Sequence, residues 1–145
     1  MQIATLLKSD PDRMAALKAV ANLGLPDCWL AAGFVRNMVW DALHGYAPTP
    51  LSDVDVIFYD SGDQAGARAQ SAQEALHAHH PHQHWEVRNQ ARMHASNGDP
   101  PYKDSADAMS FWPEIETAIG ACLDSHGELQ LLAPIRRRGD VPVNN

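Results

Sequence analysis

Asp53-Val54-Asp55-Val56-Ile57-Phe58-Tyr59 is the stretch from which the rest of the chain can be read. It is rich in β-branched and aromatic residues, and acidic and apolar residues alternate at its start, the pattern of a strand with one buried face. Successive strand side chains point to opposite faces. Val54 and Val56 therefore enter a core, while Asp53 and Asp55 share the other face, roughly 7 Å apart at Cα. Two carboxylates held this way on a rigid strand make an oxygen-ligand pair suited to Mg²⁺. Taken alone, the pattern also describes a strand that begins with two solvated acids.

Upstream, Asp10 and Pro11 open a helix, Asp10 as cap and Pro11 at the first helical position. Met14, Leu17, Val20, Ala21 and Leu23 keep helical spacing until Gly24 stops it. Cys28 to Ala32 reads as a short buried strand that turns through Gly33 into a second helix, with Phe34, Met38 and Leu43 facing inward. Tyr46 to Ser52, which contains Pro48 and Pro50, is a loop.

Downstream, Ser61-Gly62-Asp63 turns into an Ala/Gln-rich helix that fades among histidines before Pro81. Trp85-Glu86-Val87 starts a third strand, and Ser96 to Lys103 is a loop by composition. Ser105 opens a helical stretch ending near Pro113. Ala118–Leu123 and Glu128–Leu132 flank Asp124-Ser125-His126-Gly127 as a hairpin. No repeat or linker interrupts the series, so the expectation is one α+β (α/β-like) domain over residues 1–145, with 135–145 as a loose tail.

Composition narrows the classes. The chain has 145 residues, with 11 Lys+Arg against 18 Asp+Glu, a formal charge of −7. That balance argues against sequence-independent nucleic-acid binding, which needs clustered positive charge. The longest apolar run, Cys28 to Val35, is far shorter than the roughly 20 residues of a membrane helix, and the N-terminus shows no secretory pattern. Cys28 and Cys122 have no CxxC spacing and suit free thiols in a reducing cytosol, so the expected location is cytoplasmic with no membrane partner.

Three features besides the aspartates bear on chemistry. Ala31-Ala32-Gly33-Phe34-Val35-Arg36-Asn37 is a strand-glycine-helix corner, where backbone N–H groups and the helix dipole favour a phosphate. Gly33 equally suits a merely tight corner. Glu86 interrupts the third strand. If that strand lies beside Asp53–Tyr59, Glu86 faces the same cleft as the aspartates; otherwise it is an ordinary exposed glutamate. Asn89-Gln90-Ala91-Arg92-Met93-His94 sets several polar side chains just past that strand, either to cap a short helix or to contact base and sugar. The histidines from His77 to His84 are able to chelate a metal, but they sit around a helix end with no cysteine or carboxylate at ligand spacing, as a solvated loop would. Trp29, Trp40, Trp85 and Trp112 read as core, and Arg136-Arg137-Arg138 as a solvated tail.

Together these segments resemble the polymerase-beta-like nucleotidyltransferase superfamily. AAGFVRN is similar to the GGxVRD motif in the head domain of CCA-adding and poly(A) polymerases. The AGxVRNxxWD segment (Ala32 to Asp41), the DVDV strand, the WxVxNQxRMH block (Trp85 to His94) and FWPE…TA (Phe111 to Ala118) resemble a family of small bacterial nucleotidyltransferase-like proteins. The resemblance spans roughly Leu25 to Pro134, and the motifs in combination are more specific than any one of them.

The resemblance implies a nucleotidyltransferase fold, a mixed sheet flanked by helices. It also implies Mg²⁺- or Mn²⁺-dependent transfer of an NMP from an NTP to a hydroxyl on RNA, protein or a small molecule. Asp53, Asp55 and Glu86 become catalytic metal ligands, and Ala32, Gly33, Arg36, Asn89 and Arg92 the nucleotide-binding set. Arg36, Arg88 and Arg92 are candidates for the triphosphate because guanidinium groups match phosphate oxygens, and Arg36 is equally suited to pairing with Asp41 or another surface acid. Arg88 is the least well placed, since alternation sets it opposite residues 87 and 89. Ala32 stands where the polymerase motif has its first glycine, and its methyl group narrows the turn. The alternatives are a nucleotide-binding module without turnover and a His-cluster metal-binding protein.

Overall fold

The computed structural model describes residues 3–47, 51, 53–63, 66–112 and 119–133. Its elements are helices α1 (Ile3–Lys8), α2 (Pro11–Ala21), α3 (Gly33–Leu43), α4 (Ala67–His79), α5 (His94–Asn97) and α6 (Ser105–Met109), and strands β1 (Trp29–Ala31), β2 (Asp53–Phe58), β3 (His84–Asn89), β4 (Gly120–Leu123) and β5 (Leu129–Leu132). The strands form one sheet in the order β3-β2-β1-β4-β5. Only β2 and β3 run parallel, joined by the α4 crossover; β1–β2, β1–β4 and β4–β5 are antiparallel. The result is the mixed sheet with flanking helices that the motifs imply.

Local chemistry accounts for the starts of several elements. Asp10 caps α2, its side chain accepting the Arg13 N–H with Pro11 at the first position, and Asp104 caps α6 in the same way. Asp27, at φ +48, ties the two parts of the chain together. Its carboxylate accepts the Ser105 N–H at 2.7 Å, and its carbonyl accepts the Ser105 hydroxyl at 2.7 Å.

The two faces of the sheet are unequal, which decides where a site can lie. Val54, Val56 and Phe58 of β2, Trp85 and Val87 of β3, Leu30 and Ala121 pack with Leu7, Leu17, Val20, Phe34, Val35, Met38 and Leu76 from the helices into the main core. On the opposite face Ala31, Ile57 and Met109 form a second, small cluster with Trp29, Trp112 and Leu132. Among the described residues that cluster covers one end of β2; at the other end Asp53 is exposed and Asp55 partly so.

Several expectations need correction. The short helix α1 has no counterpart in the sequence reading, although Ile3, Leu6 and Leu7 keep helical spacing and Leu7 is fully buried. Leu43 is exposed rather than inward, because nine helical steps from Phe34 bring it half a turn out of phase. Ala21 and Trp40 are likewise exposed. The region around Ser96 begins with the single turn α5 before the loop. Cys28 and Cys122 are free thiols, and burial pushes Cys28 up to about 12. The end of the helical stretch near Pro113, the hairpin's first residue Ala118 and the 135–145 tail with Arg136–Arg138 lie outside the described residues.

Candidate active site

The parallel pairing of β2 and β3 sets Asp53 opposite His84, Asp55 opposite Glu86 and Ile57 opposite Arg88. Paired residues in a sheet share a face, so the open side carries Asp53, Asp55, Glu86, His84 and Arg88 together. The predicted juxtaposition of Glu86 with the aspartates is therefore what the structure contains. His84 Nδ1 lies 2.9 Å from Asp53 Oδ1. Arg88 Nη2 donates to Glu86 Oε1, and Arg88 Nη1 stands 4.0 Å from Asp55 Oδ1.

Asp55 is partly buried between the other charges of this face. Burial raises its pKa first and the Glu86 charge next; Asp53 adds to the rise, while Arg88 and Arg36 oppose it. Positive charge beside a partly buried carboxylate with like-charged neighbours favours its ionised form.

The β1–α3 corner supplies more of it. Ala31 pairs with Asp55, so the turn that follows β1 sits beside the acids. Ala32 carries the sharp bend at φ +54 and ψ −126, a region that residues with a Cβ avoid. Gly33, expected to make the corner, is instead the first residue of α3. Its bare α-carbon serves the side chains that fold back over it: a Cβ there would stand 3.0 Å from Asn37 Nδ2 and 3.3 Å from Arg36 Nη2. Arg36 Nε donates to Asn37 Oδ1 at 3.2 Å. Among the described residues no side chain caps α3, whose first turn begins next to the acids. The first turn is anchored from α2 by buried Arg13, whose Nε donates to the Phe34 carbonyl at 2.7 Å.

Two sequence candidates lie elsewhere. Asn89 is buried on the opposite face of β3, and its amide is engaged within the fold. Its Nδ2 donates to the Asp60 carbonyl at 2.8 Å, and its Oδ1 accepts the Asp60 and Ala91 N–H groups at 3.0 Å each. It caps the 3-10 turn Gln90–Arg92, the other of the two readings open for it. Arg92 follows at the far end of the strands, where a Cβ on Gly66 would strike its Nη1, away from the acids.

Arg88 is the residue the sequence reading undervalued. Alternation opposite residues 87 and 89 is the same statement as sharing a face with Glu86, so the signal was present. His84, grouped with the histidine run, belongs to this face by the same rule. Within the run, the rings of His77 and His84, and of His80 and His82, approach only in pairs, with centroids 6.4 and 6.3 Å apart. Among the described residues no three His, Cys, Asp or Glu side chains stand together as a metal-holding group. In this arrangement Asp53 and Glu86 are engaged by His84 and Arg88. In kind, the three carboxylates Asp53, Asp55 and Glu86 are the oxygen donors that a hard divalent cation takes.

A family model described as "Nucleotidyltransferase" matches residues 18–137. The chain belongs to the nucleotidyltransferase family. This nucleotidyltransferase is also similar to a solved protein whose NMR structure "reveals a CCA-adding enzyme head domain". The identity is 37% over 91% of this chain and 70% of the other, with a TM-score of 0.79. No curated protein matches. The fold and the resemblance drawn from AAGFVRN, DVDV and the Trp85–His94 block thus stand, and the family supports nucleotidyl transfer with an NTP as donor. Among the described residues no helix is long and apolar enough to cross a membrane.

Proposed function

We propose that the open face of β2 and β3 is the catalytic centre of a divalent-metal-dependent NMP transferase. The observation that carries this reading is the parallel register opposing Asp55 to Glu86 beside the uncapped start of α3. Asp53 and Asp55 would hold Mg²⁺ or Mn²⁺, with Glu86 as the third ligand. When bound, such ions neutralise charge on the phosphates and on the leaving group.

The chain's own residues do the rest. The Ala32–Gly33 turn and the first N–H groups of α3 receive phosphate oxygens, helped by the helix dipole. Arg36, folded over Gly33, adds a guanidinium beside them. The acceptor hydroxyl attacks the α-phosphorus and forms a new P–O bond. The bond to the β-phosphate breaks, pyrophosphate leaves, and Glu86 takes the hydroxyl proton. The acceptor class, whether RNA, protein or small molecule, is not specified by these residues.

The test combines binding with turnover. A mass-spectrometric screen for NMP adducts is run across the four NTPs and the three acceptor classes, on wild type and Glu86→Gln. The substitution keeps size and polarity, so transfer should fall by at least about 10²-fold, a general-base contribution, while NTP affinity changes little. Calorimetry should show Mg²⁺ strengthening NTP binding in wild type and not in the Asp53→Ala/Asp55→Ala double variant. Strengthening that survives in the double variant rejects the metal site. No adduct with any acceptor favours a binding module.

A further inference from the structure

Arg88 and a divalent cation want the same oxygens. The guanidinium donates to Glu86 Oε1 and stands 4.0 Å from Asp55 Oδ1, bridging the facing acids of the two parallel strands. Its side chain is about half exposed, on a strand at the sheet edge, so it is free to swing without opening a hole in the core. A cation bound to these carboxylates competes with Arg88 for Glu86 Oε1, and its charge repels the guanidinium. The displaced charge remains on the same face, where the nearest new anion is the phosphate chain of an arriving nucleotide.

We infer that Arg88 is an exchangeable counter-ion of the acid cluster: it bridges Glu86 and Asp55 before loading, and on loading moves to the nucleotide's phosphates as a positioning residue. The inference rests on the metal-site reading above and adds an order of events to it. Cation and guanidinium trade places, so the acids never face one another uncompensated. Loading by metal alone is disfavoured relative to loading by metal with phosphate, since only the latter supplies Arg88 with a new partner.

The experiment uses the full chain, with Mn²⁺ alone and then tripolyphosphate as probes. Free Mn²⁺ is followed by electron paramagnetic resonance in wild type, Arg88→Gln and Arg88→Lys, each checked for folding by circular dichroism. Arg88→Gln removes the competitor and should bind Mn²⁺ about two- to fivefold more tightly, the worth of a partly exposed ion pair. At saturating Mn²⁺, the same variant should bind tripolyphosphate several-fold more weakly. Arg88→Lys, which keeps the charge but loses the fork, should lie between the two in both titrations. A purely structural arginine would not raise metal affinity on removal. Equal or weaker Mn²⁺ binding by Arg88→Gln, or undiminished tripolyphosphate binding, overturns the exchange while the metal site stands. No Mn²⁺ binding by any of the three proteins rejects the metal site and the exchange together.

Discussion

Ala32→Gly should stabilise this protein, although replacing alanine by glycine usually does the reverse. Ala32 holds φ +54 and ψ −126 at the corner between β1 and α3, a conformation open to glycine and costly for a residue with a Cβ. Strain of this kind is worth about 1–3 kcal/mol. Glycine gives back roughly 0.5–1 kcal/mol through its larger freedom in the unfolded chain. The net gain is about 1 kcal/mol, or roughly 3 °C in Tm for a domain of this size. Urea denaturation and calorimetry measure it, with Ala15→Gly as control. Ala15 is exposed in the middle of α2, where the same substitution should cost about 1 kcal/mol. If both variants lose stability, Ala32 is not strained and the account of the corner is wrong. Removing the methyl also widens the turn, so NTP affinity should hold or rise.

Asp55→Asn should stabilise the fold near neutral pH. Burial and Glu86 raise the Asp55 pKa, so the folded chain favours the protonated acid. Stability therefore falls as pH climbs from the ordinary carboxylate value through the raised one, and the cost persists above it. With solvent screening at a half-exposed group, the variant should gain a few tenths of a kcal/mol at pH 7. The gain should vanish in acid, where wild-type Asp55 is protonated; a pH-independent difference in Tm would contradict the assignment. Asn89→Ala should cost roughly 1–2 kcal/mol by leaving part-buried backbone groups of Asp60 without their Asn89 partner. It should leave NTP affinity of the folded protein unchanged, and a selective loss of affinity would return Asn89 to the nucleotide site.

What could be read from the sequence was local and periodic. The two-residue alternation of DVDV placed Val54 and Val56 in the core and the aspartates outside, and the same rule applied to Trp85–Asn89 assigns Glu86 and Arg88 to one face and Asn89 to the other. Leu43 failed on phase, since nine residues along a helix add up to about two and a half turns. Arg92 failed because proximity in sequence to Glu86 says nothing about position after a strand ends and the chain turns. The direct opposition of Asp55 to Glu86 is a matter of strand register across the α4 crossover. That register is settled by packing between residues distant in sequence, which no short motif encodes. The strained Ala32 was visible only as a methyl group in a glycine's place; its dihedral angles required coordinates.

The central position of β1 has a consequence for how the chain comes to be folded. Three residues, Trp29–Ala31, must hold β2 on one side and β4 on the other, and Leu30 finds its second neighbour only at Ala121. A nascent chain that has emerged through β3 can assemble the acid-bearing strands and their helices, yet it leaves the apolar edge of β1 unpaired. Until the β4–β5 hairpin arrives, that edge is a template for strands of other molecules. Docking of the hairpin is the strand pairing of greatest sequence separation about β1, and delaying it should raise aggregation, which light scattering during refolding would measure.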